Sequence, residues 1–158
     1  MVLLNLNPLV PIMEDIQLDE IPAGKVYKTG QIATATFFGG LFVGAYLLAE
    51  NFKVLGNRRG IYGAWIIATV LFLASVALPF FIPVLAEISN WFYVAFFALL
   101  ASWAGRHYQL EGVNAHIEKG GELHSTGRVV GVTLIGLGIV VALGLALFII
   151  QDRFIGIL

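Results

Sequence analysis

The sequence has no cysteine among its 158 residues. That excludes disulfides, thiolate metal sites, Fe–S clusters and a cysteine nucleophile, and it leaves the redox compartment open. Charge is scarce as well: nine Lys and Arg with ten Asp and Glu make 12% of the chain, about half of what an ordinary soluble domain carries. Apolar residues make up 59%, and a water-soluble fold of that composition would expose more apolar surface than such proteins tolerate, which argues against a soluble enzyme. There is no basic stretch with interleaved aromatics and the formal net charge is −1, so nucleic acid is not an expected partner. The sequence has no GxxxxGK[ST], no GxSxG and no paired carboxylates inside an apolar run. It therefore nominates no catalytic residue, and the expectation is a protein that is not an enzyme.

Where the charges fall says more than how few they are. Charge-free runs cover Gln31–Ala49, Gly60–Ala86, Ile88–Gly105 and Val129–Gln151, with 19, 27, 18 and 23 residues. A bilayer core of about 30 Å takes roughly 20 helical residues, so these runs predict four crossings. The expected fold is all-α, an integral membrane bundle of four transmembrane helices over residues 31–152, with spans near 31–50, 61–86, 88–105 and 127–150. A tail, 153–158, follows it, and an N-terminal arm, 1–30, precedes it. The arm opens on the apolar stretch Met1–Met13, which has no basic flank, contains Pro8 and Pro11, and runs into Glu14, Asp15, Asp19 and Glu20. That pattern reads as an interfacial or partner-binding segment rather than a cleaved signal or a span.

Within the expected spans the recurring signal is small residues at helical spacing. Thr36, Gly40 and Gly44 fall at i, i+4, i+8 in the first; Gly127 and Gly131, then Gly138, Ala142 and Ala146, do so in the fourth. In lipid, helices associate by close packing, and a groove of small residues lets a second backbone approach. Pro79 and Pro83 predict a kink near Leu78 or an end to the second span soon after it. Glu87, Ser89 and Asn90 form a connection so short that spans two and three make an antiparallel pair, and Gly120-Gly121 breaks the long connection after span three.

No Asp, Glu, Lys, Arg or His lies mid-span. This weighs against a proton-coupled pump and against haem held between two spans. No cofactor is expected; the place where a metal ion would be sought is His107 and Glu111, at i, i+4, with His116 and His124 in the same connection. Lys53, Arg58 and Arg59 are candidates for headgroup or partner contact, or else solvated anchors that fix helix depth. Counting Lys and Arg by connection gives six on the side of the first and third connections against three on the side of the termini. The positive-inside bias then places both termini outside the cytoplasm.

The stretch Gln31-Ile32-Ala33-Thr34-Ala35-Thr36-Phe37-Phe38-Gly39-Gly40, then Gly44 and Glu50-Asn51-Phe52-Lys53-Val54-Leu55-Gly56, resembles the first span of a group of small, uncharacterised four-span bacterial inner-membrane proteins. His116-Ile117-Glu118-Lys119-Gly120-Gly121 is similar to a later stretch of the same group. The resemblance implies a multi-pass protein of the bacterial inner membrane and no activity. The functional expectation is a non-catalytic membrane subunit or scaffold, its partners the lipid bilayer and itself or other membrane subunits, packed through its glycine-rich faces. Two alternatives stand beside it. One is a small oligomeric transporter or channel using backbone near Pro79 and Pro83 or the hydroxyls of Thr34, Thr36, Thr69 and Ser75. The other is a membrane-embedded metalloenzyme built on the histidine connection.

Overall fold

In the computed structural model residues 23–155 are described; residues 1–22 of the expected arm and residues 156–158 of the expected tail lie outside them. The run read as the first span is not one helix. Helix α1 (Thr29–Gly39) stops at Gly40, and α2 (Leu41–Val54) starts directly after it. Gly40 has φ 87° and ψ 176°, a region essentially reserved for glycine because a Cβ clashes there. Its N–H donates to the Thr36 carbonyl at 2.9 Å, closing α1. Its own carbonyl accepts from the N–H groups of Val43 at 3.1 Å and Gly44 at 3.3 Å, opening α2.

The two helices fold back on each other. The Gly44 backbone lies against the Thr36 side chain so closely that a Cβ there would collide with it, whereas eight residues along a straight helix span about 12 Å. At the other end, Tyr27, just before α1, is hydrogen-bonded to Asn51, near the end of α2. The chain thus enters and leaves this element at the same end. The expected crossing at 31–50 is corrected to a helical hairpin with limbs of about 16 and 21 Å, each short of a bilayer core.

Helix α3 (Arg58–Phe81) is capped by Asn57, whose side-chain oxygen accepts the Gly60 N–H at 2.9 Å. It carries Pro79 inside its last turn and ends as expected, because Pro83 excludes the helical conformation at Ile82, which sits at φ −130°, ψ 86°. One 3-10 turn, Pro83–Glu87, leads to α4 (Asn90–Glu118), and the Tyr93 hydroxyl donates to the Leu85 carbonyl at 3.0 Å to hold the corner. At 29 residues α4 runs well past the charge-free stretch that announced it. It stops at Gly120, φ 86°, with the Gly121 N–H returning to the His116 carbonyl at 2.9 Å, a glycine C-terminal closure. Two two-residue strands, β1 (Lys25–Val26) and β2 (Glu122–Leu123), pair in parallel, and α5 (Thr126–Ile155) completes the described chain.

The hairpin is the centre of the bundle: α4 packs on both limbs, α3 on α2, and α5 chiefly on α1, while α3 and α4 hardly touch although they are neighbours in sequence. Ile32, Ala35, Val43, Leu47 and Ala101 form the core of this arrangement, with Tyr27 and Val129 at its rim. The described chain is all-α apart from the two short strands. Within it, α3 and Thr126–Ala146 of α5 are long and apolar enough to cross a membrane, and only 6% and 11% of those stretches is buried. Their large apolar side chains face outward instead, among them Ile66, Val70 and Leu73 on α3 and Leu134, Ile139 and Leu143 on α5.

Candidate functional site

The open end of the hairpin is closed by a cap of buried polar side chains, and sequence reasoning missed its centre. Asn51 is fully buried. Its Oδ1 accepts the Tyr27 N–H at 2.7 Å, and its Nδ2 donates to the Tyr27 carbonyl at 2.9 Å and to Gln109 Oε1 at 3.1 Å. Gln109, 2% exposed, donates from Nε2 to the Leu48 carbonyl at 2.8 Å. The carboxamide of Asn51 therefore serves the segment before α1 as a strand would, on the side opposite β2. Beyond β2 the ladder continues in the His124 N–H, which donates to the Val26 carbonyl at 2.9 Å, while Gln31 Nε2 donates to the His124 carbonyl at 3.2 Å. No buried side-chain nitrogen or oxygen among the described residues is left without a partner, the condition under which a buried polar network rigidifies a fold instead of weakening it.

The aromatic and charged groups of the cap face one another across β1. The Tyr27 ring stacks on His124 with centroids 4.1 Å apart, and Arg128 Nε donates to the Tyr27 hydroxyl at 3.0 Å. Burial pushes the Tyr27 phenol up from its ordinary value, and the Arg128 guanidinium opposes this only in part, so the ring stays neutral. Burial holds the His124 imidazole below its ordinary value, aided by the nearby charges of Arg128 and Lys25 and opposed by Glu50. Lys25 holds the Glu122 carboxyl low by a direct hydrogen bond and by its charge. Both partners of that pair are more than half exposed, so it contributes little to stability.

His124 gives the cap a pH dependence. Its folded pKa is depressed, so as pH falls through about 6.5 the unfolded chain takes up a proton that the folded chain refuses, and stability drops. The thermal midpoint in mild detergent is expected to fall between pH 7.5 and 5. It should stay flat for His124→Phe, which keeps a ring on Tyr27; an equal fall in both proteins would remove His124 as the cause.

The residues singled out from the sequence are distributed unevenly around this centre. His107 is stacked on Trp103, with centroids 5.2 Å apart, and Glu111 lies one turn further along α4. His116 Nε2 is 3.1 Å from the Gly24 carbonyl with its ring against Gly121, and His124 is engaged with Tyr27. The structure does not bring these four together, and among the described residues no three His, Asp or Glu side chains are grouped to hold a metal ion. Lys53 Nζ stands 4.0 Å from Glu50 Oε1, and Arg58 and Arg59 are exposed in the first turn of α3. The hydroxyls of Thr36, Thr69 and Ser75 donate to carbonyls of their own helices, Ile32 at 2.7 Å, Trp65 at 2.9 Å and Phe72 at 2.8 Å.

The small residues divide into three sets. Gly44 lies against Thr36 where α1 and α2 meet, and Gly40 makes the turn between them with Val140 of α5 3.9 Å from where a Cβ would stand, so these three residues serve the folding of the hairpin on itself. The seam between the hairpin and α5 uses Gly136, where a Cβ would strike Val43, and Gly39, which lies against the Thr133 carbonyl. Gly127, Gly131 and Gly138 have no atom within 4 Å of where a Cβ would stand. Ala142 and Ala146 are exposed, so this face of α5 packs on nothing among the described residues.

Set against known protein families, curated proteins and solved structures, the chain matches none.

Proposed function

We propose that the chain is an integral membrane protein of three crossings, α3, α4 and α5, built around the re-entrant hairpin α1–α2. On this reading it acts as a non-catalytic subunit that assembles, with its own copies or with other membrane subunits, through the open glycine face of α5. The observation that carries this is the division of the glycines: Gly136 is filled by the hairpin, while Gly127, Gly131 and Gly138 leave a groove that no described residue enters. Such a groove admits a second helix at close range, which is how helices gain contact in lipid. The outward-facing apolar sides of α3 and α5 support membrane residence. A core helix of a soluble protein would be buried over the same length.

The hairpin also changes the charge count. Lys25 and Lys28 join Lys53, Arg58, Arg59, Arg106, Lys119 and Arg128 at the cap end, which leaves only Arg153 toward the far end of α5. Eight of nine basic residues at one end orient that end to the cytoplasm, with the far end of α5 outside. Because Tyr27 is tied to Asn51, residues 25 and 28 lie at the end of the first and third connections and not at the far end of α5, so six against three becomes eight against one. The membrane is taken to be the bacterial inner membrane on the resemblance of residues 31–56.

Gly131→Leu and Gly138→Leu fill the groove and are expected to reduce the wild-type assembly to monomers in mild detergent, measured by light-scattering mass. Val76→Leu, at an exposed position of α3 away from the groove, should leave the mass unchanged. A wild-type chain that runs as a lone monomer with no co-purifying partner would overturn the assembly. The second reading, a transporter or channel, is favoured by the helix break at Gly40, since discontinuous helices at membrane depth line solute sites. Flux in reconstituted vesicles that responds to Thr36→Val would move the conclusion there.

A further inference from the structure

The hairpin holds α3 and α4 apart, and the gap between them is a cavity of about 480 Å³ with α2 as its floor. Cavities that bind small molecules or apolar tails run from about 300 to 1,000 Å³. The wall is apolar from Leu71 and Phe97 at one end to Trp103, and its polar groups are gathered at the other, where Arg59 of α3 faces the cleft with Tyr108 of α4. Among the described residues no Asp or Glu lines the cavity and Arg59 has no acidic partner. One turn below Arg59, Gly63 has no atom within 4 Å of where a Cβ would stand, so the cleft is open directly beneath the charge.

We propose that this cavity holds one acyl chain of an anionic membrane phospholipid, with the phosphate on the Arg59 guanidinium and the chain lying between α3 and α4 toward Leu71. This rests on the membrane reading above. The complementarity is one of charge and length together. A guanidinium presents a donor fork that fits a phosphate, and it stands where an amphiphile's head would lie if its tail followed the apolar wall. The rise from residue 59 to residue 71 is about 18 Å along α3, slightly more than half the thickness of a bilayer core, so the wall spans one leaflet. Trp103 and Tyr108 border the charged end, as aromatic side chains do at headgroup level. That end is also the basic end of the bundle, which on the proposed orientation meets the anionic leaflet.

The full chain is reconstituted in vesicles of phosphatidylcholine with an equal share of phosphatidylglycerol, extracted in mild detergent, and examined by native mass spectrometry for retained lipid. One phosphatidylglycerol per chain is expected, preferred over phosphatidylcholine by about fivefold, the effect of one basic side chain at a membrane surface. Arg59→Gln should retain lipid and lose the preference. Gly63→Phe, or the smaller Gly63→Leu, should fill the cleft and abolish retention, while Arg58→Gln should behave as wild type. The proposal is overturned if the wild type retains no lipid, takes both lipids equally or holds only detergent, or if Arg59→Gln and Gly63→Phe bind as wild type does. A chain that alkaline carbonate strips from the vesicles sinks the membrane reading itself; one that resists carbonate and retains no lipid sinks only the lipid site.

Discussion

Asn51→Ala is expected to lower stability by about 3 kcal/mol or more, because it orphans three buried groups at once, each costing about 1–3 kcal/mol. They are the N–H and the carbonyl of Tyr27 and the Oε1 of Gln109, all of which Asn51 now satisfies. Tyr27 and Asn51 have no exposed surface and Gln109 is only 2% exposed, so water cannot replace the lost partner without opening the cap. Asn51→Asp separates donor from acceptor: it keeps an oxygen for the Tyr27 N–H but loses both donated bonds and places a charge where none is compensated. It should therefore be no better than the alanine variant. Denaturation in mild detergent measures both, and a loss below about 1 kcal/mol for either variant would show that the bridge does not hold the cap. Gln109→Leu breaks the same network further out, removing one of the three bonds that Asn51 makes and the one to Leu48. Its effect should be smaller, and the two should combine to less than their sum, as members of one network do.

The apolar runs placed the apolar cores of α3, α4 and α5 to within a few residues, because a long run without charge is visible in composition alone. What the runs could not separate was a crossing from a hairpin. Residues 31–49 carry the same apolar composition in either case, and Gly40 in a run of small residues is equally a packing step and a place to turn. The adjacent pair Gly39-Gly40 was the available signal, since sharp breaks gather at such pairs. The polar continuation of α4 is legible in part: Arg106–Glu111 reads as an extension of the helix past the apolar run, with His107 and Glu111 on one face, but the further turns to Glu118 do not, because they are helical where Val113 and His116 are buried against the cap. Nor could spacing pair Asn51 with Tyr27 or Gln109, which are 24 and 58 residues away. Each stands among charged neighbours near the edge of an apolar run, with nothing to set it apart from a solvated residue, and only the fold-back at Gly40 brings the three together. The small residues of α5 stand out in the sequence, but that Gly136 meets the hairpin while Gly127, Gly131 and Gly138 stay open depends on the rotation of that helix.

Gly40→Ala sets the two halves of this architecture against each other, and the magnitudes say which one yields. The space around Gly40 would admit a methyl group, with the nearest atom, Val140 Cγ2, at 3.9 Å; the obstacle is the backbone, at φ 87°. Holding alanine there costs about 1–3 kcal/mol. The alternative is to straighten α1 and α2 into one helix of about 26 residues, long enough to cross a bilayer. Straightening carries Tyr27 to the opposite end from Asn51 and forfeits the cap, at about 3 kcal/mol or more. On the proposed membrane reading it also drags Lys25 and Lys28 across the bilayer against the positive-inside bias. The hairpin should therefore survive Gly40→Ala, strained and less stable by about 1–3 kcal/mol, and give way when Asn51→Ala is added and the cap no longer opposes the straight form. The absence of cysteine makes this directly measurable, since a single introduced thiol is the only one present. With the rest of the chain unchanged, Lys28→Cys and Lys119→Cys should react with an impermeant maleimide from the same face of sealed vesicles and Glu87→Cys from the other. Lys28→Cys should keep its face in the Gly40→Ala background and lose it in the Gly40→Ala, Asn51→Ala background. If Lys28→Cys instead shares the face of Glu87→Cys when nothing else is altered, residues 31–50 cross the membrane as one helix and the hairpin is not the form present in the bilayer.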